Sequence, residues 1–219
     1  MKQKKVLVAM SGGVDSSVAA LLMKKKGYDV VGAFMKNWSH SKDDYGQCAW
    51  RGERKFAMKI ATILDIPLIT LDFEKQYKKE VVEEMFKDYK KGITPNPDIT
   101  CNEKVKFPLL LKAVKKINAD YLVTGHYSRI KPSGKKYELL RAKDELKDQS
   151  YFLYRIKQKE LEKVLFPIGE YTKKQVRKIA KKNSFPNYDK KSTVGICFIG
   201  KINLKDFLKK KIKQKKEKS

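Results

Sequence analysis

The stretch Ser11-Gly12-Gly13-Val14-Asp15-Ser16-Ser17 follows a hydrophobic run, KKVLVAM, and leads into a helical pattern in which Val18, Leu21 and Leu22 recur. A strand that ends in a glycine turn and opens a helix is a geometry suited to phosphate. Gly12 and Gly13 allow backbone conformations that turn several N–H groups inward as an anion nest. The helix adds the positive end of its dipole, and Ser11, Ser16 and Ser17 add hydroxyl donors. The lysine that usually closes a phosphate loop is missing. Asp15 stands there instead, suited to capping the helix or to holding a Mg²⁺ that bridges phosphates. A second stretch, GITPNPDITCN, has Pro95 and Pro97 fixing an extended loop before a helix. Asp98 and Cys101 stand three apart at that helix's start, where the dipole favours a thiolate. The same spacing also fits Asp98 as a helix N-cap and Cys101 as core filler. The third stretch, GICFIG, sets Cys197 between Ile196 and Phe198, a pattern that also fits simple burial.

The elements that must position these groups alternate. Strands are expected at Val6–Met10, Val30–Met35, Leu68–Phe73 and Tyr121–Thr124. Helical patterns lie between them at Ser16–Lys26, Gly52–Leu64, Lys75–Lys90 and Val105–Ile117. Such alternation predicts an α/β fold, a parallel sheet with helices on both faces. Ligands then sit at the carboxyl ends of the strands, where the glycine loop, the stretch after Met35 and Thr124-Gly125-His126 all fall. After Gly125 a hairpin is expected from Arg129–Lys131 and Tyr137–Ala142, turning at Pro132-Ser133-Gly134. Helices at Gln149–Tyr154, Gln158–Leu165 and Lys173–Lys182 follow, then a loop and a short strand at ICFIG. This divides the chain into a nucleotide-binding catalytic domain (1–145), a small, mostly helical extension carrying the second cysteine (146–203) and a basic tail (204–219).

The chain has 219 residues, 41% of them hydrophobic, enough for one sizeable α/β domain. No apolar run approaches the ~20 residues that span a bilayer, and no secretory signal precedes the glycine loop, so a cytoplasmic protein with no membrane partner is expected. Lys and Arg number 51 against 25 Asp and Glu, a net charge of +26. That footprint suits a polyanion such as RNA, although only six of the 51 are Arg and a lysine excess also follows from an AT-rich gene. Three scattered cysteines, Cys48, Cys101 and Cys197, are too few for a disulfide scaffold and make no CxxC zinc site. With only His40 and His126, no metal cage of protein side chains is expected, and any Mg²⁺ would arrive with a nucleotide. Cys48 reads as an incidental thiol and His126 as structural or ligand-adjacent.

The string SGGVDSS in its strand–helix setting resembles the pyrophosphate loop of the PP-loop, or N-type, ATP pyrophosphatases. Together with FMKNW (Phe34–Trp38), TPNPDITCN, VTGHY (Val123–Tyr127), KDQSYFL (Lys147–Leu153), FPIG (Phe166–Gly169) and GICFIG, it is similar to the tRNA-specific 2-thiouridylases over nearly the whole chain. The resemblance implies a Rossmann-like domain that adenylates the 2-oxygen of the wobble uridine of tRNAs for Lys, Glu and Gln. Sulfur from a persulfide then replaces that oxygen. It implies ATP contacts from Ala9, Met10, Ser11, Gly12, Gly13, Val14, Asp15, Ser16, Met35 and Gly125. It further implies that Asn96, Pro97 and Asp98 meet the target base and that Lys147, Asp148 and Gln149 contact tRNA. Cys197 would carry the persulfide. Cys101 would be the second catalytic cysteine, closing a transient disulfide with Cys197, and Asp98 a general acid or base. ATP and Mg²⁺ are the implied cofactors. Asp98, Cys101 and Cys197 holding an iron–sulfur cluster is an alternative implication. tRNA and a persulfide donor, a cysteine desulfurase or a sulfur-relay protein, are the implied partners.

The sequence departs from the family pattern twice. Ser192 stands where the family usually has Asp ahead of the GIC stretch. Family members also continue past the stretch matching DFL into two β-rich domains. Here Leu208 leads into a tail with nine lysines among residues 201–219, as expected of a piece of a longer protein or of a reduced one. Another PP-loop tRNA-modifying enzyme and an inactive tRNA-binding remnant are the competing readings.

Overall fold

The computed structural model describes residues 3–39, 48–191 and 208–209. Five parallel strands form one sheet in the order β3-β2-β1-β4-β7. These are β1 (Lys5–Ala9), β2 (Asp29–Lys36), β3 (Leu68–Asp72), β4 (Tyr121–Val123) and β7 (Val164–Leu165). β1 runs in register with β2 from Lys5↔Asp29 to Ala9↔Ala33 and with β4 from Val6↔Tyr121 to Val8↔Val123. The strand order reverses between β1 and β4, so the loops leaving these two strands diverge and open a crevice at their carboxyl ends.

Both faces of the sheet are covered, which is why β1 reads as an unbroken apolar run. Val6 and Val8 join Val18, Ile60, Val176 and Phe185 on one face. Leu7 joins Phe107, Leu110, Leu122 and Leu153 on the other. The first face is covered by α1 (Val14–Lys25), α2 (Ala49–Ile63) and α6 (Lys173–Lys182). Two long helices serve the other side: α3 (residues 74–90) and α4 (residues 97–116). Each has a π-helical turn inside it, at Lys78–Glu83 and at Cys101–Lys106. Between them Tyr77, Val81, Val82, Phe86, Cys101 and Val105 form a third apolar cluster.

Four expectations shift. The helix expected from Val105 begins at Pro97, because Asn96 caps it: its side-chain oxygen accepts from the amides of Asp98 at 3.1 Å and Ile99 at 3.2 Å. Asp98 therefore is not the N-cap. The helix expected over Gln158–Leu165 is one turn, α5 (Gln158–Leu161), after which Val164–Leu165 leaves to pair with β4 at the sheet edge. In the hairpin, β5 (Arg129–Ser133) and β6 (Lys136–Leu140) keep Pro132 and Ser133 within the ladder. The turn is Gly134-Lys135, where Gly134 has φ +58°, a left-handed conformation that glycine adopts without strain. The stretch expected as helix over Gln149–Tyr154 is a single 3₁₀ turn, Ser150–Phe152. The expected strand at ICFIG lies outside the described residues. Among the described residues no helix is long and apolar enough to cross a membrane.

Phe107 is the largest shared support of this frame: fully buried, it stacks on His126 and meets Phe166 edge-on. Phe107→Ala is expected to cost about 3–5 kcal/mol of unfolding free energy, read from urea denaturation.

Candidate functional site

The crevice at the β1/β4 reversal is a cleft of about 380 Å³. Its floor is the glycine loop. Gly12 has φ +82°, and a Cβ on it would lie 2.2 Å from the Glu53 carbonyl oxygen, so only glycine lets the loop pass under α2. Gly13 is the N-cap of α1 and has no side-chain cap. The first-turn amides of α1 are left facing the cleft, as an anion site requires. Hydroxyls brace the turn: Ser16 Oγ and Ser17 Oγ donate to the Gly13 carbonyl at 3.0 and 2.9 Å, and Ser16 Oγ accepts from the Ser11 amide at 3.2 Å. From β4, Gly125 packs so closely on α1 that a Cβ would lie 2.6 Å from the Ser16 nitrogen. The strand ends and the helix start therefore form one wall.

Asp15 neither caps α1 nor faces the cleft as a bare anion. Its two carboxylate oxygens accept from Lys173 Nζ at 2.6 and 2.7 Å, and Oδ1 also accepts from the Tyr127 hydroxyl at 2.9 Å. Lys173 opens α6, whose N-cap Thr172 exchanges reciprocal bonds with Gln175. Burial first, then the Asp15 carboxylate, push the Tyr127 phenol far above its ordinary range, so it stays a donor. The segment after α6 returns to the loop. Asn187 is fully buried and donates to Gly12 O and to Ser17 Oγ, both at 3.0 Å. Lys190 pairs with Glu53 at 2.6 Å.

The cleft lining includes Lys106, Lys147, Lys173, Lys190 and Lys191 against the single carboxylate of Asp15, a field suited to a polyphosphate. His126 sits among them. Lys106 Nζ, which can only donate, lies 3.3 Å from Nε2, so Nε2 accepts and Nδ1–H donates to Thr124 Oγ1 at 2.7 Å. Burial, reinforced by the Lys106 charge, holds the imidazole well below its usual pKa.

The structure brings Ala9, Met10, Ser11, Gly13, Val14, Asp15, Ser16, Met35 and Gly125 together in this cleft, and Gly12 lies beneath it. Lys147 and Gln149 also line it, but Asp148 and Gln149 carry internal bonds. Gln149 exchanges two bonds with the Tyr127 backbone, at 2.8 and 2.9 Å. Asp148 accepts from Ala142 N at 2.8 Å and Ser150 Oγ at 2.7 Å. Asn96 is exposed, with its side-chain oxygen engaged as the cap of α4, and Pro97 and Asp98 form that helix's first turn. Cys101 is fully buried in the third cluster and is not part of the cleft lining. Lys106, five residues on along α4, is; the offset along the helix is ~7 Å. Cys197, Ser192 and His40 lie outside the described residues. Lys191 lines the cleft, and Leu208 packs against the cluster holding Cys101. Cys48 is half-buried at the start of α2, away from the lining. Among the described residues no three His, Cys, Asp or Glu side chains converge, so this part of the chain does not by itself fit a metal cage or cluster. Lys106, Lys173, Lys190 and Asn187 are site residues that local sequence patterns do not flag, whereas Thr124 and Tyr127 belong to the flagged VTGHY stretch.

Residues 4–201 match the family model described as the tRNA methyl transferase HUP domain. The chain is 48% identical over 217 residues to the tRNA-specific 2-thiouridylase MnmA of Christiangramia forsetii, covering 97% of this chain and 55% of that protein. It is 48% identical over 204 residues to the protein of that name from Bacillus subtilis, covering 93% and 55%. The chain thus spans about half the length of the curated relatives it matches. Among solved structures, a 4-thiouridine synthetase–RNA complex with bound ATP superposes with a TM-score of 0.62 at 16% identity, covering 94% of this chain and 50% of that one. NMN synthetase from Francisella tularensis gives 0.52 at 16%, covering 87% and 66%. At these identities the structural likenesses establish the fold: a Rossmann-like parallel sheet.

The neutral state of His126, half-buried in the cleft wall, sets a pH dependence. A histidine whose folded pKa is lowered binds its proton more readily when unfolded, so stability falls as pH drops below the unfolded value near 6.5. Between pH 6.5 and 5 the His126 contribution is expected to approach a slope of about 1.4 kcal/mol per pH unit. His126→Asn should flatten that part of the profile in denaturant melts; an unchanged slope would show that His126 titrates normally.

Proposed function

The chain belongs to the tRNA-specific 2-thiouridylase family, and from that premise we propose that it carries the catalytic half of a tRNA uridine 2-thiolation: ATP-dependent adenylation, then persulfide sulfur transfer. The observation that carries the reading is the cleft at the β1/β4 reversal, where the glycine loop and the uncapped start of α1 meet a lining rich in lysine.

ATP fits the cleft with its phosphates on the open amides of α1 and its adenosine toward Met35 and the Gly125 wall. In the adenylation step the uracil 2-oxygen attacks the α-phosphorus. The bond to the bridging oxygen breaks and pyrophosphate leaves with the electron pair. Carbon 2 is now electrophilic. The terminal sulfur of a Cys197 persulfide attacks it, Cys101 thiolate attacks the inner sulfur and breaks the S–S bond, and AMP departs. A Cys101–Cys197 disulfide remains for an external thiol to reduce. Because Cys101 is fully buried, this step requires the α3–α4 cluster to open at the π-helical turn that begins at Cys101, a kind of irregularity found often at functional sites. Asp98, one turn earlier, is the proposed group that exchanges protons with the base. Mg²⁺ would arrive on the nucleotide and neutralise its phosphates. Neither it nor a cluster is assigned ligands. Lys147 and the other cleft lysines are the proposed contacts to the tRNA backbone, and tRNAs for Lys, Glu and Gln are the proposed substrates. A cysteine desulfurase or relay protein supplies the sulfur, in the cytoplasm.

Incubation with ATP, Mg²⁺, a persulfide source and unmodified tRNA, followed by nucleoside analysis, tests this directly. The expected product is 2-thiouridine with one pyrophosphate each. Cys101→Ser is expected to keep pyrophosphate release and lose 2-thiouridine. Pyrophosphate without 2-thiouridine from the unaltered chain would point to a different PP-loop modification. Neither product would leave an RNA-binding remnant.

A further inference from the structure

A triphosphate brings several negative charges to a loop whose own charged residue is an anion. Left bare, Asp15 would repel it. Three features of Lys173 bear on this. Its ammonium lies against both Asp15 oxygens, at 2.6 and 2.7 Å, beside the open N-terminus of α1. It is itself part of the cleft lining, with a side chain only 14% exposed. Its backbone is fixed at the start of a capped helix, where its N–H donates to Asp144 at 2.8 Å. An ammonium has three N–H donors in rotating geometry. Two reach Asp15; among the described residues no acceptor takes the third, and the ammonium lies 5.8 Å from the centroid of the Tyr127 ring. Of the other cleft cations, Lys190 pairs with Glu53 and Lys106 lies toward His126, whereas Lys147 and Lys191 are exposed and not held at the α1 N-terminus.

We propose that Lys173 is the phosphate ligand that the glycine loop lacks, delivered from α6 across 158 positions of sequence and aimed at the β,γ-phosphates of the nucleotide. Asp15 and Tyr127 are positioning residues. They hold the ammonium at the mouth of the α1 amides, so that incoming phosphate meets an oriented donor. This deepens the adenylation reading and rests on it for the identity of the nucleotide. The opposing possibility is that Lys173 merely neutralises Asp15.

Binding of ATP, AMP and inorganic pyrophosphate to the full chain, measured calorimetrically at fixed ionic strength, decides between them. Lys173→Met is expected to weaken ATP and pyrophosphate by about tenfold or more and AMP by less than about twofold, since a charge-assisted bond to the terminal phosphates is lost. AMP affinity and the melting temperature report that the variant is folded. The same cost should persist when Lys173→Met is made in an Asp15→Asn background. Equal losses for all three ligands, no loss, or a cost that vanishes with Asp15→Asn would overturn the assignment. If the unaltered chain binds pyrophosphate through Lys173 but not ATP, Lys173 keeps its role and the adenylation reading falls. If it binds neither, both fall.

Discussion

Everything at the site depends on one close approach, the seating of Gly125 on the first turn of α1. There is no room for a Cβ between them: it would lie 2.6 Å from the Ser16 nitrogen and 2.8 Å from the Asp15 carbonyl carbon. Because β1 and β4 are neighbours at the reversal of strand order, this contact locks the loop leaving one strand to the loop leaving the other. The α1 amides then point into a space bounded by both. Thr124 precedes Gly125, His126 and Tyr127 follow it, and all three inherit its position. Tyr127 carries the constraint onward through its hydroxyl to Asp15 and its backbone to Gln149.

The second half of the chain closes the site by holding on to the first. Lys173 reaches Asp15, Asn187 reaches Gly12 and Ser17, and Lys190 reaches Glu53. Each contact joins a residue of α6 or the segment after it to the glycine loop or the helix packed over it. Arg177 adds a bond to the Lys190 carbonyl at 3.1 Å, tying α6 to that segment. A buried ion pair costs desolvation on both sides and contributes little net stability. Retaining one here is better understood through what it presents to the cleft, an oriented ammonium at a helix N-terminus, than as a source of fold stability.

The fold was largely legible because its signals are local. The apolar runs of β1 and β2, the glycine loop and the amphipathic spacing of α3 each lie within about twenty residues, and all are present. Most of the cleft-lining residues were legible for the same reason, since one contiguous loop supplies many of them. What the sequence concealed is long-range. Nothing around Lys173 distinguishes it from Lys174 or Lys178, and only the packing of α6 beside α1 singles it out. The role of Asp15 changed accordingly, from cap or metal holder to the anchor of a distant lysine. Asn96 capping α4 and the π-helical turn at Cys101 were hidden for a different reason: each depends on hydrogen-bond geometry that residue type leaves open. Asp148 and Gln149, grouped with Lys147 by sequence, separate in the structure. Their side chains are engaged in internal bonds, whereas Lys147 is exposed at the cleft.

The central claim is that the crevice between β1 and β4 receives ATP. Amide hydrogen exchange with and without a non-cleavable α,β-methylene analogue of ATP addresses it most directly. Slowed exchange confined to Ser11–Ser17 and Thr124–Tyr127, with little change along the β5–β6 hairpin, is the predicted result. Binding that protects other segments and leaves these two unchanged would contradict it.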